Sequence, residues 1–245
     1  MLELSHVSKR FGGLSVLQDV SFQVPEGQVF GLIGPNGAGK TTVFNLITGL
    51  LAPSGGNIEF GGKSLVGIKP HQITRLGLGR TFQNIRVFKE MTLIENVVVG
   101  MHAHLDYGVP GWLFSLPNFR AQEQRARDRA HELLGWVGLD AKAHDTADNL
   151  SYGDQRKLEV AMLMALEPSV YMFDEPTAGM SAGDVPVILD LIRALKREAN
   201  KIILLVEHKM DVVRELADRI VVLHNGRLVA DGEPATVMTT SLGNP

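Results

Sequence analysis

Lys40 and Thr41 close a glycine-rich run, Gly34, Pro35, Asn36, Gly37, Ala38 and Gly39, that follows directly on the apolar stretch Val29-Phe-Gly-Leu-Ile33. A buried strand emptying into such a turn makes a phosphate cradle. Its glycines let backbone N–H groups curl around an anion, Lys40 brings a point charge to the outer phosphates, and the Thr41 hydroxyl is available to Mg²⁺. Thr42 and the residues to Ile47 read as the first turns of a helix whose positive end faces the same phosphates. That dipole contributes about 0.3–1 kcal/mol, against roughly 8 kcal/mol for micromolar affinity. The lysine, the metal and the N–H groups must therefore supply most of the binding. A second constellation ends the apolar run Val170-Tyr-Met-Phe173 with Asp174 and Glu175. At a strand terminus beside a phosphate turn, Asp174 can hold Mg²⁺ through water, and Glu175, one residue on, points elsewhere and can polarise an attacking water.

The elements that must position these residues read as α/β. Leu2 and Leu4, then Val20, Phe22 and Val24, alternate with polar residues and predict an antiparallel unit near the N-terminus. Val29 to Ile33, Val170 to Phe173, Lys201 to Val206 and Ile220 to Leu223 are short apolar runs, as expected for parallel strands covered on both faces. Val185, Ile188, Leu189, Ile192 and Leu195 recur at helical spacing as a crossover helix, and Ser181-x-x-Asp184 upstream resembles a capping box. Asn225-Gly226 reads as a type I′ hairpin turn. From about Asn84 to Ser151 the strand and helix rhythm breaks, predicting an inserted, mostly helical subdomain with a charged helix over roughly Ala121 to Gly135. Trp112, Phe114 and Phe119 read as its own core, and His102 and His104, with no acid or thiol at ligand spacing, as surface histidines.

A chain of 245 residues suits one α/β domain or a core with an insertion. Twenty-four basic and 27 acidic residues give a net charge of −3, which supplies no electrostatic footprint for nucleic acid. With no cysteine, disulfides, zinc-thiolate sites and thiol catalysis are excluded. The first residues lack the basic and apolar regions of a signal peptide, and no apolar run reaches eighteen residues, so the expectation is a soluble chain, with any membrane role played from the surface.

Between the two constellations stands Leu150-Ser-Tyr-Gly153-Asp-Gln-Arg156. With Gln83 in Arg80-Thr-Phe-Gln-Asn84, His208 in Val206-Glu-His and an aromatic at Phe11, the chain resembles the nucleotide-binding subunits of ATP-binding-cassette transporters from Leu2 to about Val237. The resemblance implies a RecA-like core with an antiparallel β subdomain (residues 1–83 and 156–245) and a helical signature subdomain (residues 84–155). It implies that Gly34 to Thr42 cradle MgATP, that Phe11 stacks on adenine, and that Thr41 and Gln83 ligate Mg²⁺ while Asp174 holds it through water. Glu175 would be the general base and His208 the contact to the γ-phosphate. Ser151 and Gly153 would close on the ATP of a second, identical or homologous cassette.

The stretch Arg80 to Thr92, the insertion, the tyrosine-bearing signature and Val206-Glu-His-Lys-Met-Asp-Val-Val213 are similar to the larger ATPase subunit of bacterial branched-chain or hydrophobic amino-acid importers. Its implied partners are permease subunits, a second ATPase and an external solute-binding protein, with the chain on the cytoplasmic face of the membrane. Related urea or amide importers, lipid or polysaccharide exporters and non-transport cassette ATPases are the alternatives. Three positions depart from the family's pattern. Tyr152 replaces a glycine, where a positive φ would be costly. Asp154 replaces glutamine, for Arg156 and Lys157 to offset. Ser181 stands where an aspartate makes a dimer contact.

Overall fold

A computed structural model describes residues 1–81, 85–101, 117–198 and 200–241. The chain begins β1 (Leu2–Phe11), β2 (Leu14–Val24), β3 (Val29–Ile33), α1 (Lys40–Ile47), β4 (Gly55–Phe60), β5 (Lys63–Ser64), α2 (Pro70–Arg75), β6 (Leu78–Arg80). There follow α3 (Leu93–Met101), α4 (Pro117–Trp136), α5 (Tyr152–Ala165), β7 (Val170–Asp174), α6 (Val185–Lys196), β8 (Ile202–Val206), α7 (Met210–Leu216), β9 (Arg219–His224), β10 (Arg227–Gly232) and α8 (Pro234–Ser241). Two compact units divide these elements, one comprising Met1–Arg80, Ser169–Pro176 and the described residues from Ile192 on, the other Thr81–Pro168 with Thr177–Leu191.

The first unit holds both sheets. An antiparallel sheet runs β2-β1-β4-β5. Leu2 pairs with Val24, Leu4 with Phe22 and Val7 with Val20, so the alternating apolar residues all fall on one buried face. The other sheet runs β10-β9-β3-β8-β7-β6, parallel throughout except for β10 on β9. β3, β7 and β8 are buried at every residue, which explains their unbroken apolar runs. The turn between β9 and β10 has φ of 48° at Asn225 and 73° at Gly226, both positive as a type I′ turn requires. Phe22 and Phe30 stack with ring centroids 5.2 Å apart, and the same core takes in Phe44 and Ile47 of α1.

The second unit is helical. α3 packs on α4 and α5, and Leu93 and Val97 of α3, Leu133 and Leu134 of α4, and Leu158 and Ala161 of α5 are all buried. α4 is mostly polar in sequence because its outward face carries ion pairs such as Arg127 with Glu123 at 3.0 Å. Trp112, Phe114, His102 and His104 lie outside the described residues, and the Phe119 side chain is not described. One expectation fails here. α6 begins at Val185, and Ser181 does not cap it: the Ser181 hydroxyl donates to Asp184 Oδ2 at 2.6 Å. The spacing matches a capping box, but the hydroxyl is taken by a carboxylate instead of accepting from a helical N–H.

Candidate nucleotide site and signature segment

α1 starts at Lys40, two residues earlier than its apolar pattern suggests, with Gly39 at the N-cap. No side chain caps the helix, and its first turn carries no acid. That leaves a positive helix end whose N–H donors suit an anion. Gly34, at φ 150°, lies against the carbonyl oxygen of Leu223 so closely that a Cβ there would collide with it, so the cradle admits only glycine at this point. Lys40 is buried and donates to the carbonyls of Gly34 at 2.7 Å and Pro35 at 3.0 Å. Burial holds its pKa below the usual lysine value, while the charges of Glu175 and Asp174 act the other way.

Asp174, the last residue of β7, is fully buried, and its Oδ2 accepts from Arg80 Nη2 at 2.7 Å. Arg80 Nη1 donates to Asn45 Oδ1 of α1, also at 2.7 Å. Glu175 continues the strand's hydrogen bonding, its N–H donating to Val206 O at 2.9 Å, but with φ of 52°. A non-glycine residue held in this left-handed region stores strain of about 1–3 kcal/mol, and such strain collects at working sites. The turn carries the Glu175 carboxylate to His208, whose Nε2 lies 2.7 Å from Oε1. His208 follows β8 in chain order, so the neighbouring strands β7 and β8 deliver both groups at their carboxyl ends. Phe11, at the end of β1, is 46% exposed, and the Lys9 ammonium sits 4.8 Å from its ring centroid. The ring thus presents open π surface that a base could cover.

A carboxylate on a buried strand end, a threonine hydroxyl on the adjoining helix and the cradle's lysine form a donor set of hard oxygens plus one cation. That chemistry fits a Mg²⁺ nucleotide. Gln83, the remaining ligand expected from the sequence, lies outside the described residues.

In the second unit Ser151 is the N-cap of α5, its hydroxyl accepting from the Asp154 N–H at 3.2 Å. Tyr152 therefore opens a helix, and the positive φ that would have penalised it does not arise. Asp154 is offset by Lys142, at 2.7 Å, and by Lys157, at 3.5 Å. Arg156, expected to share that task, instead turns inward to Glu159 at 2.8 Å and donates to the Tyr152 hydroxyl at 3.2 Å. Lys157 also pairs with Asp184, which holds Ser181.

Residues 17–178 match the family described as ABC transporter. The chain belongs to the ABC transporter family. As an ATP-binding cassette it is 44% identical to the high-affinity branched-chain amino acid transport ATP-binding protein BraF of Pseudomonas aeruginosa, over 97% of this chain and 93% of BraF. LivG of Escherichia coli, of the same description, is 42% identical over the same shares. The phosphonates import ATP-binding protein PhnC of Chromohalobacter salexigens is 36% identical over 99% of this chain and 88% of its own. Among solved structures, a nucleotide-free ATP-binding cassette from an ABC transporter superposes with a TM-score of 0.83 at 28% identity, covering 100% of this chain and 96% of that one. Among the described residues of this cassette, no helix is long and apolar enough to cross a membrane. Sequence reasoning passed over Asn45 and Lys142, and it gave Arg80 and Asp184 no ion-pair partner, because their contacts with Asp174 and Lys157 are set by the fold.

Proposed function

We propose that this chain is the ATP-hydrolysing, energy-coupling subunit of a membrane importer of branched-chain amino acids. The observation that carries the catalytic half is the Glu175 carboxylate 2.7 Å from His208, at strand ends that also bear Asp174. The solute class is supported by relatives 42–44% identical along nearly the whole chain.

Gly34 to Thr42 bind the phosphates of ATP, with the Lys40 ammonium exchanging its two carbonyl partners for phosphate oxygens. Phe11 covers the adenine. Thr41, Gln83 and Asp174 would hold Mg²⁺, which when bound neutralises charge on the phosphate oxygens during transfer. Glu175 accepts the proton of the attacking water, and His208 both orients that carboxylate and donates toward the γ-phosphate. Ser151 and Gly153 close on the nucleotide of a second cassette, identical or homologous. A composite site of this kind is off whenever its halves part, so closure and reopening can be passed to permease subunits fed by an external solute-binding protein. The chain acts from the cytoplasmic face of the membrane.

Titration calorimetry with ATP and Mg²⁺ tests the first step. Micromolar binding that is lost in Lys40→Met is expected; a wild-type chain that binds no nucleotide would overturn the reading.

A further inference from the structure

Arg80 has no part in the mechanism above, yet it donates directly to Asp174. Its side chain is 5% exposed and that of Asp174 is 0% exposed, so the pair is sealed from water. The guanidinium reaches two elements at once. One arm donates to Asp174 Oδ2 at the end of β7 and the other to Asn45 Oδ1 on α1, each at 2.7 Å. The Phe44 ring supports the fork from one face, its centroid 5.2 Å from Arg80 Cζ. A planar fork with two fixed acceptors and an aromatic floor has little freedom to turn, and neither does a carboxylate bound to it. α1 is the helix that begins at Lys40 and Thr41, so the fork ties the orientation of Asp174 to the helix that carries the phosphate and metal donors.

We propose that Arg80 is the positioning residue of the divalent-cation site, holding the Asp174 carboxylate in register with the first turn of α1. The proposal rests on the reading of Asp174 as a metal holder. Without the fork, Asp174 loses its fixed orientation and meets the metal's water shell poorly. A purely electrostatic role would act the opposite way, because removing a cation beside Asp174 would strengthen Mg²⁺ binding.

The test titrates Mg²⁺ into the full chain with a fluorescent N-methylanthraniloyl ATP, EDTA giving the metal-free limit and circular dichroism checking the fold. In Arg80→Met the Mg²⁺ midpoint should rise about tenfold or more, the usual effect of losing a ligand's supporting partner. Metal-free nucleotide affinity should stay within about twofold. Arg80→Lys, which keeps the charge but cannot span both acceptors, should resemble Arg80→Met. Asn45→Ala frees only one arm and should raise the midpoint about threefold; it decides the matter if the Arg80 variants do not fold. A midpoint that is unchanged or lower in the folded variants overturns the inference, as does an equal fall of metal-free and metal-bound affinity. A wild-type chain whose nucleotide binding ignores Mg²⁺ would instead remove the reading of Asp174 on which the inference stands.

Discussion

The Tyr152 ring fills the space that a side chain on Gly179 would need: a Cβ there would lie 2.5 Å from Tyr152 Cε1. Tyr152 stands where the signature pattern has glycine, and Gly179 gives its ring room. The bulky signature residue is tolerated because the segment it packs on has glycine, at φ 70°, at the contact. Gly179→Ala should therefore destabilise the chain by about 1–3 kcal/mol, from the left-handed backbone and the displaced ring together. Combined with Tyr152→Ala, its cost should shrink, with a coupling of roughly 0.5–3 kcal/mol in denaturant unfolding. Additive losses would show that the two residues are not in contact.

Glu175 and His208 act as a unit if their 2.7 Å contact orients the base. Glu175→Gln and His208→Ala should each lower the ATP turnover of the assembled cassette pair by about 10²–10⁴-fold. The double variant should be little worse than the more damaging single one. Multiplicative losses in steady-state hydrolysis would separate the two roles.

Burial is the largest influence on Lys40 and lowers its pKa, outweighing the opposite pull of Glu175 and Asp174. Removing the charge while keeping the chain length, in Lys40→Met, should leave the nucleotide-free protein melting at or above the wild-type temperature. MgATP affinity should fall at least about tenfold, or 1.4 kcal/mol. Scanning calorimetry and nucleotide titration on one preparation check both halves.

Asp184 is held below its ordinary pKa of 3.8, first by the hydrogen bond from Lys157 and then by that from Ser181. A carboxyl depressed in the folded state binds protons less readily than in the unfolded chain. Its contribution is complete above the ordinary value and is lost as pH falls through the folded one. Asp184→Asn should lower the melting temperature at pH 7, and its difference from wild type should narrow as pH falls below the ordinary value of 3.8. A difference that is constant with pH would mean that the carboxylate charge is not what Lys157 and Ser181 hold.

Much of the first unit was legible because strands covered on both faces leave unbroken apolar runs, as Val170 to Phe173 and Ile202 to Val206 do. The antiparallel unit was legible from the alternation around Leu2, Leu4, Val20 and Phe22. β5 and β6, at sheet edges and only two and three residues long, are too short to express a period. Ser181 and Asp184 misled because a capping box and a side-chain hydrogen bond share one spacing. Arg80 and Asp174 stand 94 positions apart, and Lys142 and Asp154 are 12 apart across a turn. Ion pairs of that kind are created by the fold, and neither pair follows a helical or strand spacing that a local window would pick out.

Uptake of labelled leucine, isoleucine and valine, with urea in parallel, by cells of the source organism carrying Glu175→Gln decides whether this cassette drives branched-chain import. Branched-chain uptake should collapse with the protein at normal abundance, because only the water-polarising carboxylate has been removed. Loss of urea uptake instead would assign the cassette to a sister importer, and undiminished uptake of all four would contradict the importer itself.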